Sequence, residues 1–169
     1  MCAIGIFTAI IAILAQISIP LPSGVPITFQ SFAVTLTAIV LGSRKGAIAA
    51  IIYLLLGIVG VPVFTQLRGG LHALVSPTGG FLISFPLMAL CIGIGTEEKA
   101  RKGRYPLMLI FGYVINYAFG LLVYCLTANV DLIPGFITCV LPYIPAAIIS
   151  AALATILGFK LRERLHTLL

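Results

Sequence analysis

The chain consists largely of apolar runs, separated by short connections that carry most of its charge. The runs cover residues 3–17, 29–41, 46–59, 80–94, 106–128 and 136–161. A membrane-spanning helix needs about 20 predominantly apolar residues. Only 8% of the residues are charged, whereas a soluble domain carries roughly 25%. The pattern therefore predicts an all-α integral membrane protein with six transmembrane helices, in a single domain over residues 1–169.

Basic residues are gathered in three places along the chain. They follow the second run (Arg44, Lys45), the fourth run (Lys99, Arg101, Lys102, Arg104) and the sixth run (Lys160, Arg162, Arg164). With six spans, these clusters share the side of the N-terminus, and the long external loop 61–78 keeps only Arg68. Because basic loops remain in the cytoplasm, both termini are predicted to be cytoplasmic. Placement in small clusters also argues against a nucleic-acid-binding groove, despite the net charge of +6.

The second and third runs are too short to cross a bilayer as straight helices. Residues 29–41 would reach only about 20 Å at the helical rise, against a hydrocarbon core of about 30 Å. Interrupted segments of this kind often mark a binding site, because irregular backbone is tolerated there only when it is buried or lines a cavity. The preceding segment PLPSGVPITFQ is a candidate for backbone that dips inward. Local thinning of the bilayer is the alternative.

Residues required for most enzyme chemistry are missing. No G-x-x-x-x-G-K-[ST] phosphate loop is present, so ATP hydrolysis by that route is not expected. Asp131 is the sole aspartate, and Glu97, Glu98 and Glu163 lie within or beside the basic clusters. Acid–base catalysis needs a titratable group in the site. The cysteines are isolated, which favours buried thiols over a metal site. We expect neither enzyme activity nor a bound cofactor or metal.

Polar side chains away from the basic clusters are candidate ligand contacts. Gln30 begins the second run, and Asn116, followed by Tyr117, lies in the middle of the fifth. An unpaired amide is costly in hydrocarbon, so Asn116 needs a partner on another helix or on a ligand. Arg68 binds either a ligand anion or lipid headgroups. Thr78 and Gly79 lead into the fourth run, where a helix N-terminus suits a carboxylate.

Small residues recur at helical spacing in the first run. Gly5 and Ala9 form one row, and Ala12 belongs to the neighbouring row. Such rows let helices approach closely in lipid. They serve either packing within the chain or docking to another membrane subunit.

Together these residues resemble the BioY family, the biotin-binding S components of energy-coupling factor (ECF) transporters. The resemblance covers about residues 9 to 154, on glycine, proline and amide positions that occur in the same order. They are Gln16, Pro20, Pro22, Pro26, Gln30, Gly42, Gly46, Tyr53, Gly57, Gly60, Pro62, Phe64, residues 77–80, Asn116 and Gly120.

The resemblance implies a six-helix subunit that captures biotin outside a prokaryotic cell and sits in the cytoplasmic membrane. Its implied partners are a transmembrane coupling subunit, which docks on the first helix, and two cytoplasmic ATPase subunits. Gln30 and Asn116 suit the ureido ring of biotin, and Phe29, Phe64 and Tyr117 suit its apolar parts. Arg68, or the helix start at Thr78 and Gly79, suits its carboxylate.

One departure from the family pattern concerns the sixth helix. Many members carry an acidic residue and a lysine there, in a PGDxxK-like segment, whereas Ala147 and Ser150 occupy those positions here. Either Arg68 and backbone N–H groups hold the carboxylate, or the affinity or the substrate differs. An S component for another vitamin is therefore one alternative, and a membrane assembly subunit that binds nothing is another.

Overall fold

The computed structural model describes residues 1–20, 24–97 and 103–166, which form a bundle of helices. The helices are α1 (Cys2–Leu14), α2 (Gln30–Ile58), α3 (Gly79–Gly95), α4 (Arg104–Ala128), α5 (Leu132–Cys139) and α6 (Ile144–His166). In the described part, three helical stretches are long and apolar enough to cross a membrane: Gln30–Ile58, Arg104–Ala128 and Leu132–Leu165. Cys2–Leu14 and Gly79–Gly95 are shorter apolar helices. The prediction of an all-helical protein with membrane-type helices is confirmed at this level.

Helix α2 is interrupted at Gly42, which divides it into residues 30–41 and 43–58. Gly42 has φ 78° and ψ −175°, a conformation that is open essentially to glycine alone. The break falls between the two short runs predicted from the sequence. Helix α3 approaches closely at this break because residue 93 is a glycine: a Cβ there would lie 2.3 Å from Ser43 Cα.

The core forms around α3, which packs against both α2 and α4, while α1 and α6 pack against α2. Ile39, Met88 and Ile92 are fully buried there. Close packing depends on glycines where α3 meets α4: a Cβ on Gly80 would lie 2.2 Å from Phe119 O. Small residues at such crossings let dispersion contacts hold helices together where lipid offers no hydrophobic driving force.

The described residues of the three basic clusters lie at one end of the bundle, whereas Arg68 belongs to the loop between α2 and α3. The break in α2, the C-terminus of α3 and the start of α4 meet at this end, since Gly93 packs on Ser43 and Gly95 on Tyr105. Arg162 of α6 joins them by donating to Ile39 O at 3.2 Å and Thr96 O at 2.6 Å. Lys99, Arg101 and Lys102 lie outside the described residues, as does Pro22 of the first connection.

The last predicted span is interrupted near its start. A single helix over 136–161 was expected, but α5 ends at Cys139 and α6 begins at Ile144, with a 3-10 turn over Leu141–Tyr143 between them. Pro142 and Pro145 explain the interruption, because neither has an N–H to donate to the carbonyl four residues earlier.

The first connection contains strands that the sequence did not predict. Ser18–Ile19 (β1) and Ile27–Thr28 (β2) pair antiparallel, with Ser18 opposite Thr28. This short hairpin positions the segment before α2 at the end of the bundle opposite the three basic clusters.

Candidate ligand-binding site

A cavity of about 290 Å³ lies at the end of the bundle opposite the described basic clusters. Its walls are the hairpin, the loop between α2 and α3, the starts of α2, α3 and α6, and the middle of α4. Six of the predicted site residues line it: Gln30, Phe64, Arg68, Thr78, Asn116 and Tyr117. His72 also lines it, and so does the part of the PLPSGVPITFQ segment from Gly24 to Gln30, except Phe29.

Asn116 presents an oriented hydrogen-bond acceptor to the cavity. Its Nδ2 donates to Phe81 O at 3.1 Å and to Ser84 Oγ at 2.8 Å. A backbone carbonyl only accepts, so the amide nitrogen must face α3. Asn116 is 3% exposed, and no buried side-chain N or O atom in the described part lacks a partner. The amide oxygen, which bonds to no described residue, is therefore open to the cavity.

Arg68 is the one Lys or Arg side chain among the described residues that line the cavity. It is exposed, lines the cavity, and makes no ion pair with any residue of the described ranges. The described lining contains no Asp or Glu. An anion that enters the cavity therefore meets an available guanidinium without a competing carboxylate.

Gln30 has most of its hydrogen-bonding capacity occupied by protein groups. Its Oε1 accepts from Thr28 Oγ1 and from Thr65 Oγ1, each at 3.1 Å. Its Nε2 donates to Tyr53 OH at 2.6 Å, and this hydroxyl donates to Val63 O at 3.1 Å. Gln30 thus joins the hairpin to the loop beyond α2, and one amide hydrogen is left for a ligand.

The remaining walls are aromatic, apolar or neutral. Tyr117 and Phe81 pack edge to face at 5.9 Å between ring centroids. Phe64 is 2% exposed and packs edge to face on Tyr53 at 5.6 Å. Ser76 Oγ donates to Ala73 O at 2.7 Å, so Thr78 Oγ1 is the donor in its 2.9 Å bond to Ser76 Oγ and has no hydrogen left for a ligand. Such walls suit an apolar ligand body with a few oriented polar groups.

Two predicted contacts lie outside the lining. Phe29 is 41% exposed and packs on Phe32. Gly79 is buried, and a Cβ there would lie 1.8 Å from Leu74 O, so its role is close packing at the start of α3. The three predicted docking residues differ in exposure: Gly5 and Ala9 are exposed on α1, whereas Ala12 is half-buried against the core.

Some lining residues were not predicted from the sequence. Phe81 and Phe85 recur at helical spacing on α3, which would have indicated one shared face. Tyr143 also lines the cavity and donates its hydroxyl to Val25 O. The sequence gives no comparable signal for Tyr143, because its partner lies 118 residues away. No group of three or more His, Cys, Asp or Glu in the described ranges could hold a metal ion.

The family model described as the BioY family matches residues 1–167 of the chain. The chain belongs to the BioY family. Biotin transporter BioY of Thermotoga maritima is 39% identical over 162 residues, which cover 94% of this chain and 93% of that protein. Biotin transporter BioY2 of Lactococcus lactis subsp. cremoris is 37% identical over 166 residues, which cover 97% of this chain and 91% of that protein.

A solved structure extends the BioY similarity to the fold. The crystal structure of the S-component for biotin from an ECF-type ABC transporter superposes with a TM-score of 0.84 at 28% identity. The similarity covers 96% of this chain and 89% of that one. The two positions where this BioY chain departs from the charged pattern, Ala147 and Ser150, line the cavity together with Ala146. The α6 wall is therefore small and uncharged.

Proposed function

We propose that this chain binds biotin and delivers it for uptake as the substrate-binding S component of an ECF-type transporter. The observation that carries the proposal is the combination of an oriented carbonyl on Asn116 and an available guanidinium on Arg68 in one cavity. The BioY relatives named as biotin transporters and the biotin S-component structure support it.

The chemistry of biotin matches the cavity group by group. A ureido N–H is a donor for Asn116 Oδ1, and the ureido carbonyl accepts the remaining amide hydrogen of Gln30. Phe64 and Tyr117 contact the sulfur ring and the aliphatic tail, as apolar walls do in small-molecule sites. Arg68 pairs with the carboxylate, and the helix start at Thr78 adds a favourable dipole.

The proposal includes a membrane topology. The chain would cross the cytoplasmic membrane of a prokaryotic cell six times, as α1, the two segments of α2, α3, α4 and α6, with both termini in the cytoplasm. Apart from Arg68, the described Lys and Arg residues lie at the end away from the cavity, which supports this orientation under the positive-inside rule.

Partner subunits complete the proposed transporter. A transmembrane coupling subunit would dock on Gly5 and Ala9 of α1, and two cytoplasmic ATPase subunits would supply the energy. The chain itself would be neither an enzyme nor dependent on a cofactor.

Equilibrium binding of radiolabelled biotin to the detergent-purified full-length chain tests the proposal. Saturable, submicromolar binding that unlabelled biotin competes away is expected. Absence of binding, together with binding of another vitamin, would contradict the biotin assignment.

A second candidate, an S component for a different vitamin, is favoured by the uncharged α6 wall at Ala147 and Ser150. A vitamin that needs no charged partner on the α6 wall would fit the cavity as well as biotin does. Thermal unfolding of the purified chain with a panel of water-soluble vitamins distinguishes the candidates, because a ligand stabilises the protein that binds it. A chain stabilised by none of them would indicate the non-binding assembly subunit.

A further inference from the structure

The loop that carries Arg68 forms a tight turn with an unfavourable backbone. Gln66 and Leu67 have φ values of 61° and 55°, which are left-handed conformations that L-residues adopt at a cost. The turn is closed by Phe64 N donating to Arg68 O at 2.9 Å, whereas Arg68 N donates to Thr65 O only weakly, at 3.4 Å. Two consecutive left-handed residues directly before Arg68 need support from outside the turn.

Gln16, just beyond α1, supplies that support through both ends of its side-chain amide. Its Oε1 accepts from Leu67 N at 2.9 Å. Its two Nε2 hydrogens are shared among Val63 O and Phe64 O, at 3.2 Å each, and Ala12 O at 3.1 Å. The Leu67 N–H only donates and the three carbonyls only accept, so these partners fix the orientation of the amide. Gln16 therefore contacts the turn at its start, Val63 and Phe64, and near its end, at Leu67, the residue immediately before Arg68.

Gln16 does not line the cavity, so it cannot act on a ligand by contact. We infer that Gln16 is a positioning residue, which holds the strained turn so that the Arg68 guanidinium is presented to the ligand's carboxylate. The inference rests on the proposed function, because it requires an anionic ligand group at Arg68. Without Gln16 the turn relaxes, and Arg68 spends part of its time away from the cavity.

A purely structural role for Gln16 makes a different prediction. A loosened fold weakens every ligand alike, whereas a misplaced Arg68 weakens only ligands that carry a carboxylate. The informative quantity is the ratio of the affinity for biotin to the affinity for biotin methyl ester, which has the same rings but no charge. This ratio is independent of the folded fraction of a preparation.

The experiment measures both ligands by competition against radiolabelled biotin on the full-length chain in detergent. Wild type is expected to prefer biotin by about tenfold or more, the ratio that a hydrogen bond to a charged group provides. Arg68→Gln should bring the ratio close to one, and Gln16→Met should lower it at least about threefold. In the double variant, Gln16→Met should cause no further change.

The matched control is Thr8→Val, two turns earlier on α1. Thr8 Oγ1 also ties α1 to α2, at 3.2 Å from Ala49 O, but has no contact with the turn. The ratio of biotin affinity to methyl-ester affinity in Thr8→Val should equal that of wild type. If Gln16→Met does not yield folded protein, Gln16→Asn keeps an amide that is too short to reach Leu67, and the same fall in ratio is expected.

Each outcome decides a separate point. Wild type that binds no biotin contradicts the proposed function, and the inference with it. An unchanged ratio in Arg68→Gln removes Arg68 from carboxylate recognition and overturns the inference, while biotin binding itself stands. Equal losses for biotin and its ester in Gln16→Met leave Gln16 as a structural tie and overturn the inference alone.

Discussion

At the scale of single residues, the cavity depends on side chains whose open hydrogen-bonding positions are set by their protein partners. Asn116 has both amide hydrogens donated to α3, so its oxygen is what remains for a ligand. Gln30 differs, because its oxygen accepts two threonine hydroxyls. The two amides therefore have different roles, and Asn116 is the stronger candidate for recognising the ureido ring.

Replacing Asn116 by alanine is expected to weaken biotin binding by about tenfold to a hundredfold. A buried ligand donor left without its acceptor costs about 1–3 kcal/mol. Radioligand binding to the purified variant measures the loss. Asn129→Gly is the control, since Asn129 is exposed, outside the lining and already left-handed at φ 54°. Unchanged affinity in Asn116→Ala would remove this residue from the site.

Gly57 makes room for Phe64, the aromatic wall of the cavity. A Cβ on Gly57 would lie 2.0 Å from Phe64 Cζ, and this buried ring has little space to retreat. Gly57→Ala is therefore expected to destabilise the chain by about 1–3 kcal/mol through overpacking. The midpoint of thermal unfolding in detergent measures this loss of stability. Gly5→Ala, where a Cβ meets nothing within 4 Å, should unfold no earlier than wild type.

At the scale of elements, the helix ends at the basic end are held together by one side chain. The break at Gly42 leaves carbonyls at the end of the first α2 segment without helical N–H partners. The carbonyls at the C-terminus of α3 also lack such partners. Arg162 of α6 donates to one carbonyl from each, Ile39 O and Thr96 O. A cation at two helix C-termini also suits their partial negative charge.

Arg162→Met should lower the stability of the isolated chain by about 1–3 kcal/mol, because two carbonyls lose a charged donor. The midpoint of thermal or denaturant unfolding reports the change. Lys160→Met removes an exposed charge two residues away and should stay within about 0.5 kcal/mol of wild type. Equal unfolding of the two variants would show that Arg162 contributes no more than a surface charge.

At the scale of the whole molecule, the cavity and the proposed docking face lie on different parts of the chain. Gly5 and Ala9 are exposed on α1 and are absent from the cavity lining. Binding of biotin and assembly with a coupling subunit should therefore be separable by mutation.

Ala9→Leu is expected to leave biotin affinity unchanged while reducing co-purification with a coupling subunit by about tenfold. That ratio corresponds to roughly 1.4 kcal/mol of steric conflict at the interface. Ala118→Leu makes the same change on an exposed position of α4 and should assemble normally. Loss of assembly in both variants would point to a general effect of bulk, and loss in neither would exclude this face of α1.

Hydropathy and backbone restrictions are local properties, so the apolar runs, the interruption near Gly42, the clustering of basic residues and the polar residue types of the site could all be predicted from the amino-acid sequence. Packing between distant segments determined that Phe29 and Gly79 lie outside the lining and that Ala147 and Ser150 lie within it. It also decided what each amide does. Gln16 and Leu67 are 51 residues apart, and no periodicity encodes which of several amides a distant loop will bond, since that choice follows from packing.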